Sequence, residues 1–318
     1  MSGFLALLVL TLGCLVARGA DRLLHEAAWT WRHPRVARRL WTACAASQVG
    51  YVLALALLLA HDVWEHSLLW LTGAAKSDLH AAYAGGRDVS TTWNWTVVLA
   101  LVALAAPAWS WVRRLRAAEH RRQAHRLLPG RRRRWDDAVL LLTPAAGPAL
   151  YCLPGRRLFG SHPPLIIASE DAWTRLTDEE RRAAVAHELA HLRRRHHRSV
   201  AMAETFAATA GRLGALPHYA TEMRRLVELE ADDDAGRAHG RHAVASALLR
   251  LSTGPGGPSR SPEAALPLGG RDVGRRVRRL LDPAAPAGLS LRATARAAAT
   301  CLVAAPPALL ASPLLLVL

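Results

Sequence analysis

Apolar positions in this chain gather into long runs instead of alternating with polar ones. Residues 1–17, 41–60, 92–112 and 297–318 contain no charged side chain. A helix needs roughly 20 such residues to cross a bilayer core. The second and third runs therefore predict spanning helices. The first is only just long enough, and it predicts an uncleaved span, because no basic residue precedes it as in a signal peptide. Trp41, Trp93, Trp95, Trp109 and Trp111 fall at the ends of runs, where aromatic belts form. The last run is interrupted by Pro306, Pro307 and Pro313, which predicts a kinked fourth span.

The stretch between the third and last runs has a different pattern. Short apolar segments at 138–142, 149–153 and 165–168, separated by Pro and Gly, predict the strands of a small sheet. From Thr177 onward the apolar spacing is helical, and Thr177-Asp178-Glu179-Glu180 has the form of a capping box opening a helix. Residues 254–267, rich in Gly, Pro and Ser, predict a loop, and residues 273–281 a short basic amphipathic helix. The expected architecture is a mainly α polytopic membrane protein with about four transmembrane helices. Residues 1–112 form the N-terminal membrane region, 113–292 an α+β domain carrying a small sheet, and 293–318 the C-terminal span.

Charge then gives orientation. The chain carries a formal net charge of +16, and Lys76 is its one lysine. The loop at 18–40 holds six arginines and the stretch 113–134 ten, whereas 61–90 holds only Lys76 and Arg87 as cations. The positive-inside rule places the first two segments, and with them the 113–292 domain, in the cytoplasm, and the N-terminus outside. The basic, helix-like stretch 113–134, ending at Pro129-Gly130, either binds anionic lipid headgroups or is a solvated charged face. Because the arginines track the apolar runs and no helix-turn-helix pattern is present, direct nucleic-acid binding is not expected. Cys14, Cys44, Cys152 and Cys301 have neither disulfide-framework nor zinc-finger spacing and read as small buried hydrophobes.

The candidate chemistry lies in Ala186-His187-Glu188-Leu189-Ala190-His191-Leu192, an H-E-x-x-H segment inside the helix that the capping box opens. Positions i and i+4 share a helix face, so both imidazoles can reach one ion, while the Glu sits where it can take a proton from a bound water. A catalytic zinc needs a third protein ligand and an open position. Downstream, Glu228-Leu229-Glu230-Ala231-Asp232 offers two carboxylates one turn apart. Glu228 is the expected ligand and Asp232 the group that orients a ligand histidine, with Glu230 solvated on another face. An oxyanion donor is also needed, and His239 and His242 are both candidates. Arginines 181, 182 and 193–195 flank the motif, which excludes a site buried inside the bilayer. His61, Asp62, Glu65 and His66, in the expected outer loop, read either as a metal-sensing group or as a polar interfacial segment.

H-E-x-x-H followed by E-x-x-A-D resembles the gluzincin pattern of two membrane peptidase groups, the HtpX type and the BlaR/MecR type. Three spans before the motif and one after it resemble the BlaR/MecR layout more closely. The resemblance implies one Zn2+ per chain held by His187, His191 and Glu228, with Glu188 as general base and Asp232 behind a ligand. It also implies that Leu165, Ile166 and Ile167 form the edge strand to which an extended substrate adds. Two departures stand out. This chain has His196-His197 where family members often carry Asp, and no penicillin-binding sensor domain follows the last run, so β-lactam sensing is not expected. The implied activity is that of a zinc metalloendopeptidase at the cytoplasmic membrane face, cleaving a BlaI-like repressor. The alternatives are an HtpX-like quality-control protease and a non-catalytic membrane scaffold.

Overall fold

The computed structural model describes residues 2–25, 27–72, 125–136, 138–144, 149–155, 163–210, 214–253, 272–282 and 288–315, with scattered positions between 98 and 117. The chain is mainly helical. Helix α1 spans Ser2–Leu24, α2 Ala28–Arg32 and α3 Pro34–Thr72. Four strands follow: β1 (Arg131–Trp135), β2 (Ala138–Thr143), β3 (Leu150–Leu153) and β4 (Leu165–Ser169). Further helices among the described residues are α4 (Glu170–Arg175), α5 (Asp178–Arg193), α6 (His196–Thr209), α7 (Tyr219–His239), α8 (Arg241–Ser252), α9 (Val273–Leu281) and α10 (Leu289–Leu315).

Among the described residues three helical segments are long and apolar enough to cross a membrane: Phe4–Leu24, Pro34–Leu59 and Leu289–Ala311. Each is longer than the apolar run that predicts it. Arg18, Asp21 and Arg22 continue the turns of α1, and α3 starts at Pro34, a residue pre-set for a first helical turn. Pro306 and Pro307 do not end α10; the Gly50 face of α3 receives Pro306, which would stand 2.9 Å from any added Cβ. The third predicted span, 92–112, lies almost wholly outside the described residues, as do the loop at 254–267 and the side chains of His61, Asp62, Glu65 and His66. Trp41 is not a belt residue: it is fully buried and stacks on Tyr219 of α7 at 6.0 Å. Cys44 and Cys152 are buried as expected, but Cys14 and Cys301 are exposed on helices α1 and α10.

The sheet has the order β1-β2-β4-β3. β2 runs antiparallel to β1 and parallel to β4, and β3 antiparallel to β4. Its side chains alternate between two cores. Leu140, Leu150, Cys152, Ile166 and Ala168 pack with α5, α8 and α9, whereas Leu141, Tyr151, Leu153, Leu165 and Ile167 pack on the opposite face. Burial on both faces explains why these strands read as continuous apolar runs. One expectation fails here. β4 is paired along both sides, so Leu165, Ile166 and Ile167 form no edge; the edges of the described sheet are β1 and β3. Arg131 to Arg134, just past Pro129-Gly130 where the helical character of the basic stretch is expected to end, form β1. Gly130 lets the chain approach β2 so closely that an added Cβ would meet the Leu142 carbonyl oxygen at 2.0 Å, and ladder pairing from Arg131 onward then overrides helical preference.

Helix α5, which carries the H-E-x-x-H segment, starts as its sequence requires. The Thr177 side chain accepts from the Glu180 N–H, and Glu180 Oε2 accepts from the Thr177 N–H at 2.8 Å. A second core, formed by α1, α3, α6 and α7 around Trp41, Phe206, Tyr219 and Met223, seats the base of the apolar helices on α7. Replacing Thr177 with Ala removes one half of the capping box. We expect a loss of about 1 kcal/mol, seen as a lower unfolding midpoint of the detergent-purified protein. An unchanged midpoint would mean that packing alone sets the start of α5.

Candidate metal centre

Helices α5 and α7 lie side by side and bring their polar positions together. His187 and His191, one turn apart on α5, direct their Nε2 atoms to within 3.1 Å of each other. Glu228 of α7 completes a triangle, with Oε2 3.5 Å from His187 Nε2 and Oε1 3.3 Å from His191 Nε2. These atoms form the one group among the described residues that can hold a metal ion, all within 4.8 Å of one another. Both imidazoles are buried, and neither Glu228 oxygen has a hydrogen-bond donor of good geometry. Two ring nitrogens and a carboxylate turned toward one point, out of water, suit a cation.

The surroundings fix how these groups present themselves. Asp232, one turn beyond Glu228, sets Oδ1 3.1 Å from His187 Nδ1, which makes Nδ1 the protonated nitrogen and leaves the Nε2 lone pair facing the triangle. Asp232 is itself held by Arg276 of α9, whose Nε and Nη2 donate at 2.8 and 2.7 Å. Nη1 of the same guanidinium lies 3.0 Å from Glu228 Oε2. Glu188 is fully buried beside the triangle, and no nitrogen or oxygen partners either of its oxygens. The buried thiol of Cys152 on β3 interacts with it.

Titration in the metal-free protein follows from these contacts. Burial pushes the Glu188 carboxyl up to about 8, against the pull of His187 and with help from Glu228. Burial opposes protonation of His187, but its close contacts with the carboxylates of Asp232 and Glu228 prevail and raise it to about 9. For His191 burial prevails over Glu228, and its pKa falls to about 4. Burial would raise Glu228 and Asp232, yet Arg276 and the neighbouring histidines together outweigh it: Glu228 stays well below its ordinary value and Asp232 is held at about 2.

The expected cluster of His187, Glu188, His191, Glu228 and Asp232 is thus assembled in space. Two other expectations, the solvation of Glu230 and the edge position of Leu165 to Ile167, do not hold. Glu230 is not solvated but fully buried, because Arg38 of α3 donates to it from Nε at 2.5 Å and His196 lies 3.6 Å away. His239 ends α7 and the exposed His242 opens α8; neither joins the cluster. Leu165, Ile166 and Ile167 are interior to the sheet. Sequence reasoning missed Arg276 and His196. Arg276 had a signal: in α9 it falls on the stripe of Val273, Val277 and Leu280, where a solvated arginine does not belong. His196 had only its place in the departure from the family pattern.

Glu188 gives the metal-free protein a pH signature. A carboxyl whose folded pKa exceeds its ordinary 4.5 favours folding while protonated, and that contribution is lost as pH rises through about 8. Metal-free Glu188→Gln should therefore unfold near wild type at about pH 5 and at a clearly higher temperature than wild type at about pH 9. A gap between the two midpoints that stays constant across this range would refute the burial argument.

Comparison with known proteins gives no match: no family model fits the chain, and no curated sequence or solved structure is significantly similar to it.

Proposed function

We propose that this chain is a membrane-bound zinc metalloendopeptidase of the gluzincin type. The observation that carries the reading is the triangle of His187, His191 and Glu228, with Asp232 behind one histidine and an unpartnered carboxylate, Glu188, beside it. Tetrahedral zinc with bonds of about 2.0–2.1 Å to N and O needs ligand atoms about 3.3 Å apart. The two Nε2 atoms are 3.1 Å apart, and each has one oxygen of the Glu228 carboxylate near it, Oε1 3.3 Å from His191 and Oε2 3.5 Å from His187. Three protein ligands leave the open position that distinguishes a catalytic from a closed structural site. The buried Glu188 also argues against a non-catalytic scaffold, since structural zinc has no use for a free carboxylate.

Zinc bound there supplies a Lewis acid and lowers the pKa of a water toward neutrality. The rest falls to the protein. Glu188, whose oxygens have no nitrogen or oxygen partner, would take the proton of the attacking water and deliver it to the leaving amine. Asp232 keeps the His187 proton on Nδ1, and Arg276 holds Asp232 and the outer oxygen of Glu228 in place. β3 ends the described sheet and brings Cys152 to Glu188, so an extended substrate is proposed to pair along β3 and not β4.

The first basic segment supports a domain at the membrane face. Asp21, His25, Arg35 and Arg38 all pair with residues of α7 or with the turn before it, which puts them on the same side as the site. We propose that this side is cytoplasmic, on the strength of the arginine distribution, and that the substrate is a protein such as a BlaI-like repressor. Bound zinc and casein or self-cleavage in detergent test the reading. Wild type and Glu188→Gln should hold about one zinc per chain, and His187→Ala and Glu228→Ala much less. Cleavage should fall by about 10²-fold or more in all three variants. A wild type that takes up no zinc ends the enzyme reading, and a Glu228→Ala protein that keeps its zinc removes Glu228 from the ligand set.

A further inference from the structure

A buried polar chain leaves the metal triangle from its back. His191 turns Nε2 toward Glu228, and its other ring nitrogen, Nδ1, lies 2.9 Å from Nδ1 of His196. His196 reaches this place because Arg195, with φ of 54°, takes a left-handed turn between α5 and α6 and folds the chain back on His191. A neutral imidazole has one N–H and one lone pair. With the Nε2 lone pair of His191 directed into the triangle, its proton sits on Nδ1. His196 must then accept at Nδ1 and carry its own proton on Nε2. That nitrogen faces Glu230 Oε2 at 3.6 Å, and a carboxylate is an acceptor only. Glu230 in turn receives Arg38 Nε at 2.5 Å and Nη2 at 3.4 Å. The His191–His196 contact pairs the two rings, His196 Nε2 then meets Glu230 as a 3.6 Å charge contact, and Glu230 ends the chain on the fixed positive charge of Arg38.

Arg38 belongs to the second turn of α3, the same helix that continues as the apolar segment Pro34–Leu59. A second tie runs beside the first. Arg35, three residues earlier, donates to Asp234 of α7 at 2.5 Å, and Asp234 also pairs with Arg194, the C-cap of α5. Adjacent turns of one apolar helix thus hold both helices that form the metal triangle.

We propose that Arg38, Glu230 and His196 are positioning residues that hold His191 in its ligating orientation, so that the placement of α3 sets how tightly the metal is held. The proposal rests on His191 being a ligand, as in the function proposed above. A shift of α3 by a fraction of a helical turn would withdraw Arg38 from Glu230, release His196 and let the His191 ring rotate. The site would then answer to a movement of the apolar helix without any change in the ligands themselves.

The test uses the full-length protein in detergent, with Zn2+ affinity read by chelator competition and the visible spectrum of the Co2+-loaded protein as a report on ring geometry. Arg38→Met and His196→Leu should each weaken zinc binding by about 10–100-fold, as loss of groups that orient a ligand does, and shift the cobalt bands. Arg38→Lys should recover part of the affinity. Asp21→Asn, which breaks the ion pair to His218 just ahead of α7, should leave both readouts unchanged. Should Arg38→Met fail to fold because it strands the buried Glu230 charge, Arg38→Met with Glu230→Gln removes both charges together and should show the same loss. If wild type binds zinc and all these variants bind it equally well with unshifted cobalt bands, the relay is overturned and the peptidase reading stands. If wild type binds none, the peptidase reading itself falls.

Discussion

Burying acidic groups along a single helix is the constraint on which this structure depends. Helix α7 carries Glu222, Glu228, Glu230, Asp232, Asp233 and Asp234, and Glu222, Glu230 and Asp232 are almost wholly withdrawn from water. A carboxylate in that position must be paired, and removing the partner of a buried ion typically costs about 3–5 kcal/mol. The partners come from all around. Arg38 of α3 meets Glu230, Arg276 of α9 meets Asp232 and Glu228, Arg279 of α9 meets Asp233, and Arg225 within α7 meets Glu222. Segments far apart in sequence are drawn to one helix because each brings a guanidinium it needs. Part of the arginine excess that reads as membrane-edge charge is in fact the counter-charge of α7.

This explains which parts of the molecule were legible in the sequence. Periodicity and local chemistry suffice where the deciding contacts are near in sequence. The capping box at Thr177 and Glu180, the shared face of His187 and His191, and the one-turn spacing of Glu228 and Asp232 are all of this kind. Readings failed where the deciding partner is remote. Glu230 looks like a surface residue until Arg38, 192 positions away, is placed against it. Trp41 looks like a belt residue until Tyr219 covers it. The edge assignment of Leu165 to Ile167 failed for the same reason, since nothing local tells that β4 inserts between β2 and β3.

The molecule joins its apolar helices to the metal triangle through two materials of different character. The core around Trp41, Phe206, Tyr219 and Met223 is apolar and tolerant of small slides. The ion pairs of Arg35 and Arg38 beside it are directional and tolerate little displacement. Together they join α3 to α7 by apolar packing and by oriented ion pairs side by side.

β1 adds a consequence of its own. It is an outer strand of the described sheet, and its four arginines are exposed. An open strand edge invites pairing with the same strand of another molecule, the first step of edge-to-edge aggregation. Here such a pairing would bring four arginines against four more, with paired Cβ atoms about 5 Å apart. Copies of the chain would therefore repel one another along this edge, where their backbones could otherwise knit together.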